Sequence, residues 1–145
     1  MYIAKVSEVT DELYKAVLQL IPQLGKHKIP PTQEELKGLV NSESSTLLVA
    51  YRGREADQII GLLCLTIYRV PTGVRSIIED LIVDENVRRE GVGQALIQYA
   101  IGLAREAGAA GITLTSNPQR EAANQFYKSV GFELRKTNPY VYRLK

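Results

Sequence analysis

Residues 77–108 read IIEDLIVDENVRREGVGQALIQYAIGLAREAG: an apolar run, a glycine loop and a long apolar block in direct succession. The first seven residues have the aliphatic, β-branched character of a strand. The block from Val92 to Gly108 is apolar on more than one face and closes on a glycine, so it reads as a largely buried helix with Gly108 as its C-terminal cap. A helix buried that broadly needs a sheet beneath it. The joining segment, RREGVG at 88–93, leaves backbone N–H groups unpaired at the positive end of the helix dipole, which makes an anion site. Gly91 and Gly93 present no side chain to block close approach, and Arg88 and Arg89 can add charge-assisted hydrogen bonds from the rim.

Two better-known glycine loops fail on single residues. A nucleoside triphosphate P-loop requires Lys and then Ser or Thr after its last glycine, where Gln94 and Ala95 stand. A dinucleotide fingerprint requires a third glycine three positions beyond Gly93, where Leu96 stands. Most of the case for NAD or ATP goes with them.

Outward from this stretch the chain alternates elements. Residues 2–6 read as a short edge strand, and Thr10 caps a helix whose Leu13, Val17, Leu20 and Leu24 share one face. Thr32 with Glu35 three residues on is a capping box, placed just after Pro30 and Pro31. TLLVAY and IIGLLCLTIYRV form a hairpin about the polar segment 52–58, and PTG turns the chain into VRSIIEDLIV as a third antiparallel strand. After the long helix come a strand at GITLTS, a helix from Pro118 to Gly131, and a closing hairpin of FELRK and YVYRL around TNP. The order β-α-α-β-β-β-α-β-α-β-β, mostly hairpins with one crossover, predicts an α+β class with a mixed sheet.

A length of 145 residues suits one domain, 1–145, with one core. The 18 Lys and Arg against 16 Asp and Glu give +2, with no long run of either sign and no stripe of basic and aromatic residues, which disfavours nucleic acid as a partner. The single cysteine, Cys64, lies in an apolar run and the single histidine, His27, in a loop, so neither a disulfide framework nor a metal site is expected. With no secretory signal and no membrane-length apolar window, the expectation is a soluble cytoplasmic chain without a membrane partner.

The stretch 77–108 followed by LTSNPQREAANQFYKSVGFEL at 114–134 resembles the GNAT superfamily of acyl-CoA N-acyltransferases. Arg88, Gly91 and Gly93 match that family's Q/R-x-x-G-x-G/A pyrophosphate loop. The resemblance implies a mixed, mostly antiparallel sheet of six to seven strands flanked by about four helices, and acetyl-CoA as co-substrate. It places the pyrophosphate on the loop N–H groups of Arg89, Glu90, Gly91, Val92, Gly93 and Gln94. The pantetheine arm would pair with the strand Leu81, Ile82 and Val83, through the backbone of Leu81 and Val83.

Acetyl transfer to an amine needs a base, an oxyanion donor and an acid for the departing thiolate, because a primary amine with a pKa of about 10.4 is mostly protonated near neutrality. The resemblance to small-amine members suggests Glu79 as base, through water, with Asp80 as the alternative. Strand alternation puts Glu79 and Leu81 on one face and Asp80 and Ile82 on the other, a parity that a bulge would change. Tyr127 is the family's usual acid, although Ala123, Phe126, Tyr127 and Val130 also fall on one helical face. Family members use an Asn near this helix to hold the cofactor. Arg120 stands where many relatives have that Asn, so the parts of Asn117, Arg120 and Asn124 stay open. His27 reads as a surface loop residue, although with Lys26 and Lys28 it could favour an acidic acceptor.

The expected activity is acetyl transfer to a primary amine, of a small molecule in the first instance, by direct attack in a ternary complex. A protein lysine or N-terminus as acceptor, or a non-catalytic acyl-CoA-binding module, is the alternative. Exposed strand edges make a homodimer the default assembly.

Overall fold

The computed structural model describes residues 1–53 and 58–145, and the chain divides into two compact units, Met1–Leu114 and Thr115–Lys145. The expected hairpin turn at 52–58 lies mostly outside the described residues, but Arg52 N–H donates to the Gln58 carbonyl at 3.0 Å across its base.

The first unit carries five strands: β1 (Tyr2–Lys5), β2 (Ser45–Tyr51), β3 (Ile59–Val70), β4 (Gly73–Val83) and β5 (Ile112–Thr113). They form one sheet in the order β1-β2-β3-β4-β5, antiparallel except for the β4–β5 pair. That parallel pair is reached by a crossover through α3 (Val92–Glu106). The β3–β4 turn is two residues, Pro71 and Thr72, with Gly73 at φ +138° beyond it.

The helices begin and end where local chemistry dictates. Thr10 Oγ1 accepts from Leu13 N–H at 3.1 Å to start α1 (Asp11–Leu20), which runs into a 3-10 turn at Ile21–Leu24. The capping box of α2 (Gln33–Val40) is complete: Glu35 N–H donates to Thr32 Oγ1 at 3.1 Å, and Thr32 N–H to Glu35 Oε1 at 3.0 Å. At the end of α3, Gly108 takes φ +79°, Ala109 N–H reaches the Ala104 carbonyl and Gly108 N–H the Arg105 carbonyl, both at 3.0 Å, a Schellman closure.

Register separates the sheet's two faces. Leu47, Val49, Leu62 and Ile82 pack with Leu13, Val17, Leu20 and Leu36 of α1 and α2. Leu48 lies opposite Leu63, on the other face, which α3 covers with Leu96, Ile97 and Ala100. Gly61 marks the tightest approach on that side: a Cβ there would meet the Ile82 carbonyl oxygen at 3.0 Å, Val92 Cγ1 at 3.1 Å and Leu96 Cδ1 at 3.2 Å. Gly61→Ala should therefore cost about 1–3 kcal/mol by overpacking, read as a lower denaturant midpoint at unchanged m-value.

The second unit holds α4 (Glu121–Ser129), closed by Gly131 at φ +106°, with Phe132 N–H donating to the Tyr127 carbonyl at 2.9 Å. Two expectations are corrected here. The helix starts after Pro118 rather than beside it, because Asn117 first makes a turn: its Oδ1 accepts from Gln119 N–H and its carbonyl from Arg120 N–H, each at 3.0 Å. The closing hairpin does not form, so the sheet has five strands rather than six or seven. Residues 132–145 carry no strand, and Leu134, Tyr140 and Tyr142 are 85%, 90% and 88% exposed. A lone two-stranded hairpin is marginal in water, and Thr-Asn-Pro lacks the left-handed pair that tight hairpin turns favour. Among the described residues no helix is long and apolar enough to cross a membrane.

Candidate active site

β4 is irregular where the carboxylates stand. Ile82 pairs with Leu62 and Glu79 with Cys64, so Asp80 and Leu81 together oppose the single residue Leu63. This is a β-bulge, with Asp80 at φ +53°, a left-handed conformation that Asp tolerates better than most residues. The bulge overturns the simple alternation expected of this strand. Directly opposite partners share a face, so Glu79 sits on the face of Cys64, the face of Leu62 and Ile82, and not in step with Leu81.

Glu79 and Asp80 are both exposed. Burial pushes the Cys64 thiol above its ordinary range; a hydrogen bond with Thr66 opposes that, and the charges of Asp80 and Glu79 add to it. Cys64 is thus part of this neighbourhood, which sequence reasoning missed because cross-strand register is not written locally. A thiol held protonated is a poor nucleophile.

β5 pairs with β4 only at Ser76 and Ile77. A buried Ser76 fixes that junction, its hydroxyl donating to the Gly111 carbonyl at 2.7 Å. Beyond it, among the described residues of the sheet, no strand lies against the β5-side edge of β4 from Ile78 to Val83, leaving backbone groups there for an extended ligand. The side chain of Ile82 is buried in the core, so that residue can offer only its backbone.

The chain then enters the loop under firm control. Asp84 N–H donates to the Ile60 carbonyl at 2.8 Å, and Asp84 Oδ1 accepts from Asn86 N–H at 3.1 Å. Arg89 at φ +71° and Gly91 at φ +81° reverse the backbone before α3 starts. The first helical hydrogen bond runs from Ala95 N–H to the Gly91 carbonyl at 3.1 Å, and no side chain caps the helix. Among the described residues the N–H groups of 88–94 have no acceptor. Arg88, Arg89, Glu90 and Gln94 are exposed, whereas the Val92 side chain is buried and leaves only its N–H to a ligand. Left-handed geometry at a non-glycine residue is an outlier of the kind that clusters at ligand clamps.

In the second unit, Tyr127 packs edge-on to Phe132 with ring centroids 5.9 Å apart. Burial raises its phenol above the ordinary value, and nearby Arg120 opposes that shift. Asn124 Nδ2 donates to the carbonyls of Asn117 at 2.9 Å and Arg120 at 2.8 Å, so this side chain staples the turn that opens α4.

Between α1, α2 and the sheet lies a cavity of about 430 Å³, with Cys64 and Asp80 in its wall. A larger, more open depression of about 580 Å³ lies near the β3–β4 turn, against Tyr68, Arg69 and Val74, away from the bulge.

Known proteins resemble this chain in sequence and in fold. The model of the Acetyltransferase (GNAT) family matches residues 11–132. The peptidyl-lysine N-acetyltransferase YjaB of Escherichia coli is 34% identical over 102 residues, 69% of this chain and 59% of that protein. The uncharacterized N-acetyltransferase YhdJ of Bacillus subtilis is 33% identical over 104 residues, 70% of each chain. The chain thus spans 59% of the length of the first of these relatives. A crystal structure of the aminoglycoside acetyltransferase meta-AAC0020, from an uncultured soil metagenomic sample and in complex with sisomicin, superposes with a TM-score of 0.85 at 22% identity, covering 99% of this chain and 95% of that one.

Proposed function

The chain belongs to the acetyltransferase (GNAT) family, and on that premise we propose that it transfers the acetyl group of acetyl-CoA to a primary amine by direct attack in a ternary complex. The observation that carries this reading is the cluster of acceptorless N–H groups at 88–94, next to an open strand edge interrupted by a bulge, with one carboxylate in the bulge and one just before it.

The residues present fit the family's co-substrate. The loop N–H groups of 88–94 and the exposed guanidinium groups of Arg88 and Arg89 would hold its pyrophosphate, and the backbone of Leu81 and Val83 its pantetheine arm. When bound, acetyl-CoA supplies the acetyl thioester. Glu79 takes the proton that the amine sheds as the C–N bond forms, through a water that its exposure admits. Asp80 is the alternative base. An N–H freed by the bulge steadies the developing oxyanion. As the C–S bond breaks, the thiolate would take a proton, for which the family resemblance offers the Tyr127 hydroxyl as donor. Asn117 and Asn124 build the turn before α4, and Arg120 keeps its charge near the tyrosine.

Tyr127→Phe should lower kcat by about tenfold, the low end for acid catalysis, because a thiol with an ordinary pKa near 8.5 is already a fair leaving group. The deficit should be constant from pH 6 to 9. A phenol raised by burial stays protonated throughout that window, so no titration of Tyr127 enters the wild-type profile. A kcat profile whose gap closes below pH 9 would contradict the assignment.

The relatives are named for acceptors as different as a peptide lysine and an aminoglycoside, and what these share is a primary amine. The reading is tested by thiol release from acetyl-CoA across a panel of primary amines. Release that needs both substrates supports it. Saturable acetyl-CoA binding with no amine-dependent thiol from any amine would identify a binding module instead.

A further inference from the structure

The cavity between α1, α2 and the sheet deepens this reading, on which the following rests. Ten of its lining residues are apolar, among them Val17, Ile21, Leu36, Leu39, Leu62 and, at its mouth, Ile29. Its polar lining is Lys28, Glu35, Cys64 and Asp80. Glu35 gives one carboxylate oxygen to Thr32 N–H at 3.0 Å in the capping box, and the positive charge of Lys28 on the same lining offsets its negative one. That leaves Asp80 as the uncommitted carboxylate of the wall, with Glu79 on the same face beside Cys64. Lys28 puts one positive charge on the same lining.

We infer that the acceptor is a free primary amine with a single ammonium on a compact apolar body, an arylalkyl or medium-chain alkyl monoamine, with its ammonium anchored by Asp80 and its body against α1 and α2. The volume of about 430 Å³ lies within the range of small-molecule sites. A polycation is the wrong shape of charge for this wall: with Lys28 offsetting one of its two carboxylates, a second ammonium would find no net charge to meet, and burying a charge without a partner is costly. A peptide lysine brings one ammonium, but the polar peptide backbone four methylenes away would lie against the apolar lining from Ile29 to Pro31. Asp80 thereby acts as a positioning residue, distinct from Glu79 as the base.

The test measures two things on the full chain: amine binding by calorimetry in the presence of coenzyme A, where no turnover occurs, and kcat/KM by thiol release. The amines are 2-phenylethylamine, n-hexylamine, spermidine, sisomicin and a lysine peptide. The two monoamines are expected to bind at least tenfold more tightly, and to react at least tenfold more efficiently, than the other three. Asp80→Asn keeps a residue that accepts the left-handed backbone and should raise KM for 2-phenylethylamine about tenfold with kcat little changed. Ile29 is 87% exposed, so Ile29→Ser leaves the fold intact, adds no charge, and should weaken monoamine binding about fivefold while coenzyme A affinity holds. Equal or better binding of spermidine, sisomicin or the peptide would overturn the inference, as would monoamines that fail to bind while coenzyme A does. Monoamine binding without turnover would support the pocket and sink the acetyl-transfer reading. Failure of coenzyme A to bind would sink that reading alone, with monoamine binding to the free protein then deciding the pocket.

Discussion

Glu79→Gln is expected to lower kcat for a primary amine by a hundredfold or more at pH 7, within the roughly 10²–10⁴-fold range of general base catalysis. Glutamine keeps the size of the side chain and its place opposite Cys64, so register and bulge persist and only the proton acceptor is lost. The deficit should shrink as pH rises. Below an amine pKa of about 10.4 the free-base fraction grows about tenfold per pH unit, and an acceptor that arrives deprotonated needs the carboxylate less. Steady-state kinetics from pH 6.5 to 9.5 check both statements. Full turnover by the variant at neutral pH would move the base to Asp80, to be tested by the same substitution one residue on.

Gly91→Val is expected to weaken coenzyme A binding by about thirtyfold or more, from a loss of about 2 kcal/mol or above in hydrogen bonds to a charged group. At φ +81° a β-branched residue is strained by about 1–2 kcal/mol, and no neighbouring atom lies within 4 Å of the added Cβ to hold it there. The loop relaxes toward negative φ and turns its N–H groups away from a common centre. Gly91→Asn is the matched control, since asparagine visits the left-handed region readily and should retain most of the affinity. Calorimetric titration of both variants separates backbone geometry from the mere presence of a side chain.

The contrast between these sites shows which features the amino-acid order encodes. Caps are local chemistry, and Thr10, the Thr32–Glu35 box, Gly108 and Gly131 end their helices where their residue types demand. The 88–93 loop was legible for the same reason: glycines between a strand and a helix leave donors that nothing nearby can satisfy. The bulge at Asp80 has no such mark. It depends on which residues of β3 lie opposite, and the pair Glu-Asp reads the same in a regular strand. Cys64 escaped notice likewise, as a small residue in an apolar run whose neighbours are set by register. The cavity between α1, α2 and the sheet was invisible because an apolar helix position that lines a pocket and one that fills a core follow one periodicity. The segment 132–145 failed in the opposite direction, its strand-like pattern finding no strand to pair with.

The central claim is that the loop before α3 is an anion cradle for coenzyme A, and amide resonances read it directly. In an ¹⁵N-labelled sample titrated with coenzyme A, the amides of residues 88–94 should shift most, with saturating curves of one affinity, and those of Leu81 and Val83 should follow with the same curve. Shifts that are absent at saturating ligand, or that centre on the β3–β4 turn and leave 88–94 unmoved, would contradict it.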